Sequence, residues 1–278
     1  IIGGGVIGLE MAAYYCVAGS HVTVVEMLDH IAGPTDREIS KMLQKEYAKK
    51  GVDFKLSTKC LAVEKGKVVC EADGKQFDVP ADKVLLSIGR RASTKDMGLE
   101  NIGVEMNRGV IVVDEQGRTN VEGVFAAGDC IGKVMLAHTA YREAEVAVNT
   151  ILGRKDKMRY NANPSVIYTH PEVASVGLTE EEAQAKGIDY EVHKLSMRYA
   201  GRFVAENEGE DGICKILVGK QHRNLLGVHM LGNSSSEAIW GAALMIEQEL
   251  RVKDVKEIIF PHPTVSEIIR ETIWEFKD

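Results

Sequence analysis

The chain opens Ile1-Ile2-Gly3-Gly4-Gly5-Val6-Ile7-Gly8-Leu9-Glu10 and soon reads His21-Val22-Thr23-Val24-Val25-Glu26. Ile1 and Ile2 read as the end of a β-strand. From Val6 onward the apolar residues Leu9, Ala12, Ala13 and Cys16 follow a helical spacing that stops near Gly19. The second quoted stretch is rich in β-branched residues and reads as another strand. Strand, Gly-x-Gly-x-x-Gly turn, helix and a second strand ending in an acid make a βαβ unit of the dinucleotide-binding kind. Gly3 permits the tight turn. Gly5 lacks a Cβ, so the backbone can approach a diphosphate, and Gly8 lets the helix pack close to the strand. The N–H groups at the helix start face the phosphates. The candidate NAD contacts are therefore Gly3, Gly4, Gly5, Val6, Ile7, Gly8 and Glu10. Glu26, 18 residues beyond Gly8, can accept hydrogen bonds from a ribose 2′-OH and repels a 2′-phosphate, so NAD is expected over NADP. A plainer reading stays open, in which the glycines make an ordinary βα turn and Glu26 is solvated.

Outward from this unit the chain falls into three blocks. The first, 1–117, continues with a helix pattern at 36–50 and short strands at 52–56, 60–64 and 67–73. An Asp73-Gly74 turn follows, and then an apolar strand at 83–89. Alternating strands and helices imply a parallel sheet, with the 60–80 region as an antiparallel insertion. The second block, 118–157, holds a buried strand ending in Gly128-Asp129 and a helix at 138–152. The third, 158–278, shows strands at 165–169, 190–195, 213–218 and 224–231. Its helices fall at 180–186, 235–248, 253–258 and 265–276. Strands and helices grouped apart suggest an α+β domain with an antiparallel sheet. The fold class is thus α/β: a Rossmann-like domain, a further segment, and a C-terminal α+β domain.

Composition narrows the function. The net charge is −7 and no basic stripe is present, so nucleic acid is not an expected partner. No apolar run approaches the roughly 20 residues of a spanning helix, so no membrane role is expected. The five cysteines form neither C-x-x-C nor a zinc spacing. They read as cytosolic thiols, implying a cytoplasmic protein without a metal site. A start in mid-strand suggests that upstream residues are absent.

Near the C-terminus stands His262-Pro263-Thr264-Val265-Ser266-Glu267. A histidine can take and return protons near neutral pH, and Glu267 could fix its tautomer. Thr264 through Glu267 is equally a capping box, in which Glu267 serves the last helix. The two roles are compatible. Thr179 through Glu182 reads as another capping box. The remaining histidines, including those at 170, 193, 222 and 229, have no acid at useful spacing and are taken as surface or packing residues.

From Thr119 through Gly123-Val124-Phe125-Ala126-Ala127-Gly128-Asp129, and again in Val84 to Arg91, the chain resembles the pyridine nucleotide–disulfide oxidoreductases. That resemblance covers nearly the whole chain. It implies part of an FAD domain at 118–157 and a homodimer formed through 158–278. Asp129 would bond the flavin ribityl chain, with Met135, Leu136, Ala137 and His138 lying against the flavin. Gly89 would lie near the nicotinamide, and the backbone of Cys60 would touch the adenine. His262 and Glu267 would act on the disulfide of the other protomer.

Glu26 and the His262 segment most resemble the branch that oxidises dihydrolipoamide with NAD. This implies a lipoyl-carrier protein or a 2-oxo-acid dehydrogenase complex as partner. The family's C-x-x-x-x-C disulfide and the flavin's own Gly-rich motif do not occur here; the closest cysteines are Cys60 and Cys70. The FAD site is therefore incomplete in this chain, which is expected to bind nucleotide without turnover. A reductase of another small disulfide, or a non-catalytic nucleotide-binding module, remains an alternative.

Overall fold

Ile2 is the centre of a narrow parallel sheet. It bridges Val25 on one side and Leu86 on the other. A computed structural model describes residues 1–277, in two compact units. One is Ile1–Ile88 with the chain from Pro164 onward; the other is Gly89–Asn163. Residues 89–117, read from sequence with the first block, belong to the second unit.

The first unit begins with helix α1 (Val6–Val17), which buries Gly8, Leu9, Ala12 and Ala13. Strand β1 (Thr23–Val25) follows, then α2 (Arg37–Lys49) and β2 (Asp53–Lys55), which pairs parallel with β1. Asp36 caps α2, its carboxylate accepting the amides of Glu38 at 3.0 Å and Ile39 at 3.3 Å. Three antiparallel strands follow in sequence order: β3 (Lys59–Glu64), β4 (Lys67–Ala72) and β5 (Lys75–Pro80). This is the expected insertion. Asp73 (φ 51°) and Gly74 (φ 71°) join β4 to β5, the two left-handed residues of a tight hairpin. The expected strand at 83–89 shrinks to one parallel bridge, with Ile2 donating to Leu85 O and accepting from Ser87 N. Gly3, at φ 105°, turns the chain out of the sheet at once, so no longer ladder can form.

The second unit contains the two-residue strands β6 (Met106–Asn107) and β7 (Val110–Ile111) and helix α3 (Ala137–Ile151). Its core is Val104, Ile111 and Ile131. The strand expected to end at Asp129 is not a strand. Among the described residues it makes one antiparallel bridge, Arg118 to Phe125.

The chain then returns to the first unit through β8 (Ser165–Ile167), β9 (Val173–Gly177), α4 (Glu180–Ala185), β10 (Tyr190–Ser196), α5 (Gly201–Glu206), β11 (Ile213–Gly219) and β12 (Leu225–Leu231). It ends in α6 (Ser235–Glu247), α7 (Val252–Lys256) and α8 (Glu267–Trp274). The sheet order is β10-β11-β12-β9-β8, antiparallel throughout. β9 and α5 had no clear periodicity in the sequence. One face of this sheet meets the N-terminal segment: Ile167, Val173 and Leu231 share a core with Leu9, Ile39, Leu43 and Tyr47.

Candidate functional site

The glycine turn is built by close approach. A Cβ on Gly3 would lie 2.1 Å from Ser87 O, and one on Gly8 would lie 2.0 Å from Gly3 O. Neither position admits a side chain. Gly5 differs, since a Cβ there would meet nothing within 4 Å. The backbone at Gly5 therefore borders open space at the start of α1. No side chain caps this helix, so its first-turn amides, including Val6 and Ile7, are left for an external acceptor.

Glu26 lies against the same turn. Its Oε2 accepts the Gly4 amide at 2.6 Å and its Oε1 accepts the Leu28 amide at 2.8 Å. The side chain stands at the mouth of the turn, held by the loop it leaves. Two acceptor lone pairs, one on each oxygen, remain for hydroxyl groups. Open space at Gly5, free amides and a fixed carboxylate fit an adenine dinucleotide. Glu10 does something the sequence did not show: its Oε1 accepts the Tyr168 amide at 2.9 Å, tying α1 to the end of β8. Cys60 sits on β3 and Gly89 opens the second unit with φ 105°.

In the second unit, Asp129 starts a 3-10 turn and is exposed. Its carboxylate accepts no hydrogen bond from the described residues. Gly128 (φ 82°, ψ −156°) sets the turn, a conformation that other residues avoid. Its amide donates to Glu143 Oε2 at 2.6 Å, and Tyr160 donates its hydroxyl to Glu143 Oε1 at 2.8 Å. Glu143 is buried on α3. Burial, then the Glu143 carboxylate, push the Tyr160 hydroxyl well above its usual range. Sequence reading missed both residues. The signal was a lone acid on the stripe Thr139, Val146, Ala147 and Thr150 that α3 buries. Met135, Leu136, Ala137 and His138 lead into α3, which begins without a side-chain cap. A free carboxylate beside an uncapped helix start fits part of a flavin site.

His262 and Glu267 are brought together. His262 Nδ1 and Glu267 Oε1 lie 2.8 Å apart, while Glu267 Oε2 accepts the Thr264 amide at 2.8 Å. Glu267 thus orients the ring and serves the backbone at the same time. Thr264 does not complete the capping box; its hydroxyl donates to Pro261 O. The His262 side chain is 77% exposed and that of Glu267 16%, so Nε2 is the ring nitrogen that faces outward. Burial would raise the Glu267 carboxyl, but the Thr264 amide and then His262 outweigh it and hold it below the usual range. Thr179 and Glu182, by contrast, form a complete capping box on α4.

Four other histidines correct the sequence reading: His21 meets Asp53 at 3.3 Å and His30 meets Asp29 at 2.7 Å. His170 Nε2 lies 2.9 Å from Glu210 and His193 Nε2 lies 3.0 Å from Glu191. Glu210 is 40 positions from His170, and only folding brings them together. No cluster of metal-binding side chains occurs among the described residues, and no helix there is long and apolar enough to cross a membrane.

Residues 1–144 match the family described as Pyridine nucleotide-disulphide oxidoreductase, and residues 163–273 match the dimerisation domain of that family. The chain is 39% identical to the mitochondrial dihydrolipoyl dehydrogenases of Caenorhabditis elegans and Homo sapiens, over 98% of its length and 56% and 55% of theirs. It is 38% identical to leghemoglobin reductase of Glycine max, over 98% of this chain and 53% of that one. Among solved structures it resembles LpdA from Mycobacterium tuberculosis (TM-score 0.89, 26% identity, 99% of this chain, 60% of that one). It also resembles the HOCl-induced flavoprotein disulfide reductase RclA from Escherichia coli (TM-score 0.87, 26% identity, 99% and 64%). The chain spans about half the length of these curated relatives. Glycine turn, acid-tipped strand, paired histidine and these matches agree: the chain belongs to the pyridine nucleotide–disulfide oxidoreductase family, whose members use FAD and NAD(P).

Proposed function

We propose that this chain is part of a homodimeric flavoprotein that oxidises dihydrolipoamide, carried on a lipoyl protein of a 2-oxo-acid dehydrogenase complex, and reduces NAD+. The observation that carries the reading is the His262–Glu267 pair, with Nδ1 held by a carboxylate at 2.8 Å and the ring otherwise open to solvent. Bound FAD supplies the electron relay between a dithiol and a nicotinamide.

The chain's own residues do the rest. Gly3 to Gly8 and the first-turn amides of α1 hold the diphosphate, and Glu26 accepts the adenosine ribose hydroxyls. The Cys60 backbone meets the adenine. Gly89 is the further residue assigned to the nicotinamide. Asp129 holds the flavin ribityl hydroxyls, with 135–138 alongside. His262 Nε2 takes the proton of a substrate thiol. A free thiol has a pKa near ~8.5 and needs such a base to become a thiolate near neutral pH. Glu267 keeps the other ring nitrogen protonated and steadies the imidazolium.

The domain reading that goes with this is NAD-binding for 1–117, part of an FAD domain for 118–157, and dimerisation for 158–278, with 89–117 grouped by the fold with the FAD-type segment. The relatives named dihydrolipoyl dehydrogenase support the substrate, and the cytoplasmic location proposed with it rests on cysteines that fit a reducing compartment. No cysteine pair in this chain has C-x-x-x-x-C spacing, so the chain by itself is expected to bind NADH without lipoamide turnover.

The test uses the full-length protein. His262→Gln is expected to lower dihydrolipoamide oxidation by roughly 10²- to 10⁴-fold, the range of one lost general base. Electron transfer from NADH to an artificial dye should stay near wild type. Unchanged dihydrolipoamide turnover in the variant overturns the reading. Turnover of some other small disulfide instead would move the substrate assignment to that class.

A further inference from the structure

β3 and β4 place Cys60 directly opposite Cys70 in antiparallel register. Residues opposed in this way point to the same face, with Cα atoms roughly 4.5–5.5 Å apart. A disulfide spans Cα separations of roughly 4.4–6.8 Å. Both cysteines are free thiols. Both also belong to one small apolar cluster, with Ile2, Val25, Val68 and Val79. Cys70 is fully enclosed and Cys60 half-buried. Each sulfur makes only a long hydrogen bond, Cys60 Sγ donating to Ala62 O at 4.0 Å and Cys70 Sγ to Val68 O at 3.9 Å. Burial, and then the neighbouring Cys60, push the Cys70 thiol up. Just after Cys60 the register shifts, leaving Leu61 without an opposed residue. Such a bulge lets the strand bend locally, so bringing the two sulfurs together need not disturb the ladder on the other side.

We propose that Cys60 and Cys70 form a reversible cross-strand disulfide when the protein meets a peroxide. Cys60 is the attacking thiol because solvent reaches it, and Cys70 resolves. The Cys60 thiolate attacks the peroxide O–O bond; an S–O bond forms, the O–O bond breaks, and the departing oxygen leaves as water or alcohol after taking a proton. The Cys70 sulfur then displaces hydroxide from Cys60. The S–S bond forms, the S–O bond breaks, and the Cys70 proton departs with the hydroxide as water. Two thiols have lost two electrons, and one peroxide has gained them. A dithiol reductant reverses the bond by thiol–disulfide exchange. The chemistry needs neither flavin nor nicotinamide, and it uses the Cys60 side chain, whereas the adenine contact proposed above uses the Cys60 backbone. Because the hairpin already holds the two residues side by side, the bond closes only a short loop, so the proposal predicts reversible chemistry and little gain in stability.

Peptide mapping tests it on the whole protein. The protein is treated with hydrogen peroxide in excess over its thiols, alkylated under denaturing conditions and digested with trypsin without reductant. Cleavage after Lys59, Lys65, Lys67 and Lys75 puts the two cysteines in separate peptides, 60–65 and 68–75. The expected product is these two peptides linked, two hydrogens lighter than their sum, and separated by dithiothreitol. Cys70→Ser should leave Cys60 as a sulfenic acid that dimedone captures. Cys60→Ser should leave Cys70 reduced after the same treatment. Wild-type peptides that stay unlinked, or that pair with any other cysteine, overturn the proposal without recourse to either variant.

Discussion

Gly5 and Gly8 are three positions apart and face different neighbours, which makes them a sharp test of what the turn is for. A methyl at Gly8 would collide with the backbone of Gly3, whereas a methyl at Gly5 enters open space. Gly8→Ala should therefore lower stability by roughly 1–3 kcal/mol, the range for overpacking. Gly5→Ala should unfold like wild type yet bind NADH at least tenfold more weakly, because its methyl enters the volume assigned to the diphosphate. Thermal unfolding and fluorescence titration separate the two. Equal NADH affinity in Gly5→Ala would mean an ordinary βα turn. At Glu26, replacement by Arg removes an acceptor and supplies a cation, so NADH binding should weaken roughly 10- to 100-fold while NADPH binding improves, as hydrogen bonds to charged groups contribute about 1.5–3 kcal/mol. Competitive titration of the two nucleotides measures it. The placement of these residues at one turn was legible in the sequence because their spacing creates it. The link from Glu10 to the Tyr168 amide was not, since its partner lies 158 residues away.

Elements are joined by a buried charge cluster that no local pattern announced. Lys215, in the middle of β11, is 2% exposed. Its ammonium lies 2.9 Å from Asp36 Oδ2, 2.7 Å from Glu180 Oε2 and 3.3 Å from Glu38 Oε2. Asp36 is fully buried and also caps α2. Burial opposes charge on both partners, yet their bonds prevail: Asp36 is held below the usual carboxylate range and Lys215 above the usual lysine range. Lys215→Met leaves Asp36 charged, buried and unpaired, and should destabilise by about 3–5 kcal/mol. Adding Asp36→Asn, which keeps a capping side chain, should recover part of the loss in urea unfolding. The pH dependence follows from the sign of the shift. A depressed Asp36 contributes stability that is present above its unfolded pKa of about 3.9 and disappears as pH falls through the lower folded value. Acid unfolding of the wild type should therefore be steep below about pH 4, and shallower in the double variant. An unchanged acid profile would remove Asp36 from this role.

On the scale of the whole molecule, the five-stranded sheet is covered on one face by the N-terminal segment, while α6 keeps Trp240 (66% exposed) and Leu244 (51% exposed) uncovered. Exposed large apolar side chains on one helix suit an interface between copies. Sedimentation should find a dimer at micromolar concentration, and Trp240→Glu should shift it toward monomer without loss of helical signal. A wild-type monomer at that concentration would count against dimerisation through 158–278. What the sequence alone determined is local: the glycine turn, the acid at the end of β1, the antiparallel insertion with its Asp73-Gly74 turn, and the pairing of His262 with Glu267 across five positions. Each rests on residues near enough along the chain for periodicity or turn chemistry to act. Only the tertiary structure decided the rest. It moved 89–117 into the second unit, put Glu143 behind Gly128, set Lys215 among three acids, and laid Cys60 opposite Cys70. Those arrangements depend on which surfaces meet when apolar area is buried, and strand register and helix packing carry that information through contacts that a linear reading cannot see.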